Sequence, residues 1–134
     1  MSPAAARVLH GAFVLAVLVL VVALALVRGA ANLGDLELPI PALRIAAFVL
    51  MLGTLIGQRV LRAGLPTLQS AADATAWWQA HGPRVLTIWA LADGLATVGV
   101  VFWFLTGDIV PLAIGTGVGL FLLVMARPAG FEDG

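Results

Sequence analysis

In the stretch "WALADGLATVG", residues 89–99, a single carboxylate stands among apolar and small residues. Asp93 follows eight uncharged residues, back to Arg84, and precedes fourteen more, up to Asp108. A carboxyl so placed can carry a proton, hold a cation, or join two helices by a hydrogen bond. Thr97 lies one helical turn further on, and its hydroxyl, that of Thr87, or a backbone carbonyl across an interface could partner it. Two histidines, His10 and His81, could ligate a haem or border a quinone, but read more simply as polar residues near helix ends. The absence of cysteine excludes disulfides, thiolate metal sites and cysteine nucleophiles. No Gly-rich phosphate loop, zinc motif or catalytic triad can be read, so neither an enzymatic activity nor a cofactor is expected.

The elements that must position Asp93 follow from composition. The 134 residues are 62% hydrophobic and 10% charged, with a mean hydropathy of +1.10. Soluble domains lie near ~45–50% apolar and ~25% charged, so the chain reads as an integral membrane protein. Its seven basic residues, all arginine, balance seven acids, which gives nucleic acid no electrostatic footing.

Four apolar segments are legible, at about 8–27, 42–58, 85–105 and 109–126. Each approaches the ~20 residues that cross a hydrocarbon core as a helix, and helices satisfy their backbone groups internally, as lipid demands. Alternating ten-residue strands, the mark of a barrel, are absent. The first segment, with Arg7 before it and "RGAA" after it, has some look of a signal peptide. Its apolar run exceeds the ~7–15 residues of such a core, which predicts an uncleaved anchor. The expected fold is an all-α antiparallel four-helix transmembrane bundle forming one domain. "TGD" alone separates the last two segments, which predicts a tight hairpin.

Before the second segment, "RGAANLGDLELPIP" is punctuated by Gly and Pro, with Pro41 suited to a first helical turn. In the middle loop, 59–84, a short interfacial helix is expected at about 71–80, started by Ser70 with Asp73 in its first turn. Trp77 and Trp78 would then sit at the membrane interface, as aromatic belts do. The final "FEDG" reads as an exposed polar tail.

Arg7, Arg59, Arg62, Arg84 and Arg127 fall at one end of this bundle and Arg28 and Arg44 at the other. The positive-inside rule then puts both ends of the chain and the middle loop in the cytoplasm of a bacterial inner membrane, with Asp35, Glu37 and Asp108 outside.

Small residues mark where membrane helices can approach closely. Gly53 and Gly57 form a GxxxG in the second segment, and Gly115 and Gly119 form another in the fourth. At about 100° per residue, Pro111, Gly115, Gly119, Leu122 and Ala126 make one stripe, either a self-association seam or packing within the bundle. In the third segment Ala90, Gly94, Ala96 and Thr97 make room around Asp93 for a facing helix, while Ile88, Leu91, Leu95, Val98 and Phe102 are expected to meet lipid. Counted from Val85, Asp93 lies about 12 Å deep, where insertion costs on the order of 2.5–3.5 kcal/mol. No lysine is present and every arginine maps near a helix end, so the carboxyl is expected to be protonated much of the time or to bind a cation intermittently, unless Arg44 or a partner chain reaches inward.

"VLTIWALADGLATVGVVFWFLTGD" followed by "GTGVGLFLLVMARP" resembles the C-terminal half of a loosely defined group of small four-helix bacterial membrane proteins. In that group an acidic residue sits within an "A-L-A-E…G-L-V" helix and the last helix ends in an "RP"-like tail. The acidic helix is also similar to the proton-carrying helix of ATP synthase subunit c, and the last helix to its Gly-rich helix. Here four helices replace that subunit's two, in reversed order, and its polar docking loop is missing. The resemblance implies that Asp93 is an ion-binding carboxylate. Three readings follow: a subunit or homo-oligomer whose Asp93, with Thr97, binds a proton or cation; a structural subunit of a membrane complex in which Asp93 only joins helices; or a small-molecule or cofactor binder. The partners expected are the bilayer, further copies of the chain or a larger membrane complex.

Overall fold

The computed structural model describes residues 1–31 and 38–132. Asp35 and Glu37, expected in an outer loop, lie outside the described residues. The chain is helical: α1 Pro3–Ala30, α2 Ile40–Ala63, α3 Ala74–Thr106, α4 Ile109–Met125 and a final turn, α5 Ala129–Glu132. By length and composition α1, α2 and α3 are apolar enough to cross a membrane, and α4 is a shorter apolar helix of 17 residues.

The helix ends have local causes. Ser2 accepts from the Ala5 N–H at 3.2 Å and Pro3 opens α1. Pro41 sits in the first turn of α2. Gly107, at φ 73°, ends α3 in the left-handed conformation open to glycine, and Asp108 then caps α4 by accepting from the Val110 N–H at 3.1 Å.

Two expected boundaries move. α2 runs on to Ala63, so Arg59 and Arg62 are helical residues and not the start of a loop. The separate interfacial helix at 71–80 does not form: a 3-10 turn, Ala71–Asp73, leads straight into a 33-residue α3 that carries Pro83 in its interior. Proline there removes one helical hydrogen bond. Packing on both sides outweighs that loss, since Trp77 and Trp78 before it and Val85, Ile88 and Trp89 after it are all buried in one core.

α3 is the hub, with α4, α2 and α1 packed around it and far less contact among those three. This central position overturns the expected division of its faces. Ile88 and Leu95, expected to meet lipid, are 0% and 2% exposed, whereas Ala90 is exposed. Leu95 is covered from the α2 side with Met51, while the smaller Ala92, Ala96 and Gly99 lie against α4. A helix enclosed on three sides buries bulky and small residues alike.

Candidate functional site

Asp93 sits at the α1 edge of α3, half-buried. Its carboxylate lines a shallow groove of about 210 Å³ whose other walls are Leu9, Ala12, Phe13 and Ala16 of α1. The face expected to aim it inward instead leaves it at the margin, because the α3 core is turned toward α4 and α2. Among the described residues no side chain or backbone group hydrogen-bonds to it: Thr97 is half-buried without reaching it, and the Thr87 hydroxyl donates to the Pro83 carbonyl at 3.0 Å. Arg44 is also spoken for, paired with Asp108 at 2.6 Å.

Its depth also differs from the reckoning made from Val85. The Trp89 indole donates to the Ala126 carbonyl at 2.7 Å, so α4 ends level with Trp89. Asp93 is one turn further along, roughly 6 Å at 1.5 Å per residue. The middle of the α3–α4 hairpin is marked instead by Gly99, whose neighbour across the seam is Gly115.

The expected packing glycines separate into two sets. A Cβ at Gly115 would fall 2.8 Å from the Gly99 Cα, and one at Gly119 would fall 2.8 Å from the Ala92 carbonyl oxygen. Pro111, Gly115, Gly119, Leu122 and Ala126 are all buried, so this stripe is the face that α4 turns to α3. Gly53 and Gly94, by contrast, have open space where a Cβ would stand, and Gly57 has only ordinary contact with Leu91 at 3.6 Å. Neither Gly53 nor Gly94, nor exposed Ala90, packs against a helix of this chain.

At the end holding Arg7, Arg62 and Arg84, Trp77 and Trp78, expected at the membrane interface, are buried within the bundle, at 8% and 0% exposure. They stack with Trp89, His81 and Phe131 at centroid separations of 5.1–6.2 Å. The cause is α5, which packs Phe131 and Glu132 of the expected polar tail into the bundle; residues 133–134 lie outside the described residues. Phe131 is 8% exposed, and Glu132 accepts from the Trp78 indole at 3.1 Å and from Arg7 at 3.1 Å. His10 contacts the Leu123 carbonyl at 2.8 Å and the Trp89 ring edge-on at 5.3 Å. Each histidine is thus engaged within the aromatic packing, and among the described residues no cluster of three His, Cys, Asp or Glu could hold a metal ion.

At the opposite end, Arg28 donates to the Phe104 carbonyl and lies 5.8 Å from the Trp103 ring. The Arg44 guanidinium holds the Asp108 carboxyl below its ordinary value, helped by the Val110 N–H and opposed by partial desolvation.

Sequence reasoning passed over Gly99 and Ala92, although Ala92, Ala96 and Gly99 follow helical spacing. It also passed over Gln58, a lone amide in an apolar helix, which is 1% exposed with both side-chain polar atoms unpartnered. No family model matches the chain, and neither the curated proteins nor the solved structures compared with it give a match.

Proposed function

We propose that this chain is a small multi-pass protein of a bacterial plasma membrane, a four-helix bundle with its five-arginine end in the cytoplasm. It acts as a subunit or homo-oligomer in which Asp93 binds and releases a proton. One observation carries this reading: Asp93 opens onto an outward groove and, among the described residues, no group of its own chain hydrogen-bonds to it. An aspartate retained only to join helices of one bundle would be expected to bond across an interface, worth roughly 0.6 kcal/mol on average. With that bond missing, the cost of burying the carboxyl has no structural return inside the chain. The proton is favoured over a metal cation because Asp93 is the one polar side chain lining the groove, whereas hard cations gather six or more oxygen ligands. The resemblance to the carboxylate-bearing helix of subunit c points the same way.

The groove's position supports a role between chains. Its α1 wall leaves Leu9 and Ala12 exposed, so a neighbouring helix could close over the carboxyl and supply the path by which the proton comes and goes. The test is proton flux in proteoliposomes, alone and with co-purifying subunits, for wild type and Asp93→Asn. Flux above empty vesicles that the substitution abolishes is the expected result. Wild-type vesicles no leakier than empty ones under both conditions overturn the reading. The structural alternative predicts instead that Asp93→Asn keeps assembly intact with no flux in either form.

A further inference from the structure

The α2–α4 side of the bundle holds a second polar feature, independent of Asp93. α2 and α4 both lean on α3 but touch each other little, which leaves a cleft between them. At the arginine-rich end its mouth is a cavity of about 250 Å³ lined by Gln58, Arg59, Arg62, Phe121, Leu122 and Met125. Further along the same two helices the cleft continues as a groove of about 180 Å³, walled by Met51, Leu52, Leu55, Ile114 and Val118. The chemistry changes sharply along it: two guanidinium groups and an amide at the mouth, hydrocarbon beyond.

Gln58 is the telling residue. Its amide is buried, yet neither its Nε2 nor its Oε1 has a partner. Leaving such a group unsatisfied is costly, so it asks for a ligand with hydrogen-bonding atoms. Arg59, exposed on the next residue, makes no ion pair or hydrogen bond among the described residues. Arg62 gives one N–H to the Met125 carbonyl at 2.8 Å and rests 5.5 Å from the Phe131 ring, and its further donors have no acceptor among the described residues. Among the described residues no acidic side chain lines the mouth. Cationic pockets between membrane helices suit anionic headgroups, and the groove beyond offers an acyl chain an apolar bed that a free phosphate could not use.

We propose that the α2–α4 cleft binds one anionic phospholipid, its phosphate at Arg59, Arg62 and Gln58 and one acyl chain along Leu55, Met51 and Val118. This rests on the membrane setting proposed above but not on any role of Asp93.

The experiment is native mass spectrometry of the full chain released from detergent, titrated with phosphatidylglycerol, phosphatidylcholine of the same acyl chains, or inorganic phosphate. Wild type should retain one phosphatidylglycerol in preference to phosphatidylcholine, and Arg59→Gln should reduce that preference about fivefold, the share of one arginine near a charged headgroup. Arg59 is chosen because it makes no hydrogen bond or ion pair among the described residues. Gln58→Leu gives a second readout: lipid-free thermal stability should hold or rise as an orphan amide is removed, while the stabilisation by phosphatidylglycerol falls. Asp93→Asn should leave lipid retention unchanged, whatever becomes of the proton reading. Equal retention of the two lipids, an unaltered preference in Arg59→Gln, or displacement of the lipid by millimolar inorganic phosphate would each overturn the proposal. So would a cleft filled by a second copy of the chain, seen as a dimer that Gln58→Leu or Arg59→Gln dissociates without affecting lipid.

Discussion

Replacing Gly119 and Gly117 by alanine, one at a time, tests the rotational setting of α4 with two residues only two positions apart. A Cβ at Gly119 falls 2.8 Å from the Ala92 carbonyl oxygen and 2.9 Å from the Ala96 Cβ, whereas one at Gly117 meets nothing within 4 Å. Carbon atoms pack best at about 3.5–4.0 Å, so Gly119→Ala must push α4 away from α3 by roughly 0.5–1 Å. Neither obstacle is the loose end of a side chain, so no rotamer change relieves it. A gap of that size forfeits about a quarter to a half of each dispersion contact along the seam, and overpacking of this kind costs about 1–3 kcal/mol. Alanine's helix preference over glycine returns about 0.8–1.0 kcal/mol, which leaves Gly119→Ala destabilising by up to about 2 kcal/mol. At Gly117 the preference acts unopposed, and the substitution should stabilise by up to about 1 kcal/mol.

The two variants should therefore differ by about 1–3 kcal/mol, with Gly117→Ala the more stable. Reversible unfolding in mixed micelles of mild and denaturing detergent reads this difference directly. Equal midpoints, or the opposite order, would refute the reasoning, because α4 would then not present Gly119 to α3. A loss confined to Gly117→Ala would instead place a second chain on that face.

Three further outcomes are expected. Trp89→Phe keeps an aromatic ring but removes the 2.7 Å bond to the Ala126 carbonyl; the same unfolding assay should show a loss of about 1–3 kcal/mol. Asp93→Leu, which abolishes no hydrogen bond among the described residues, should raise the unfolding midpoint, by no more than the ~2.5–3.5 kcal/mol that a mid-helix carboxyl costs; a lowered midpoint would expose a polar partner at the groove. Asp108 has its folded-state pKa depressed below 3.8 by Arg44, so its stabilising effect is complete above that value and fades as pH falls through the lower folded one. A stability profile from pH 6 to pH 2 (about 25 °C) should accordingly slope less in Asp108→Asn than in wild type, and equal slopes would rule out the pair as the cause.

Long apolar runs made the helices legible, because in hydrocarbon little besides a helix can satisfy the backbone. Their ends were less so. Arg59 and Arg62 read as loop residues by charge, yet long arginine stems let the backbone stay helical while the guanidinium groups reach outward. The third segment was expected to begin at about residue 85, whereas the helix runs through Pro83 because the buried tryptophans on either side of it hold it in one core. The α4 stripe of Pro111, Gly115 and Gly119 was visible from periodicity, but its partner could not be, since the same stripe suits another helix of the chain or another chain. The face of Asp93 was misjudged for a related reason: a periodicity plot assumes one wet or lipid side, and α3 has neighbours on three. Glu132 and Phe131 were lost in a tail whose contacts, with Arg7 and Trp78, are far off in the sequence.

Those distant contacts also bear on orientation. Each of three arginines donates to a carbonyl near the C-terminal end of another helix: Arg28 of α1 to Phe104 of α3, Arg62 of α2 to Met125 of α4, and Arg84 of α3 to Gly64 after α2. Such carbonyls lack partners within their own helix and carry the negative end of its dipole, so these cations serve the fold wherever the bundle sits. Arg7 and Arg44 are paired with Glu132 and Asp108. Among the described residues that leaves Arg59 and Arg127 without an intrachain partner, both at the five-arginine end, and no arginine at the other. The asymmetry that an anionic inner leaflet can act on is therefore sharper than the five-to-two count in the sequence. In the orientation proposed above that end faces the cytoplasm, beside the cleft mouth where Arg59 is proposed to meet a headgroup.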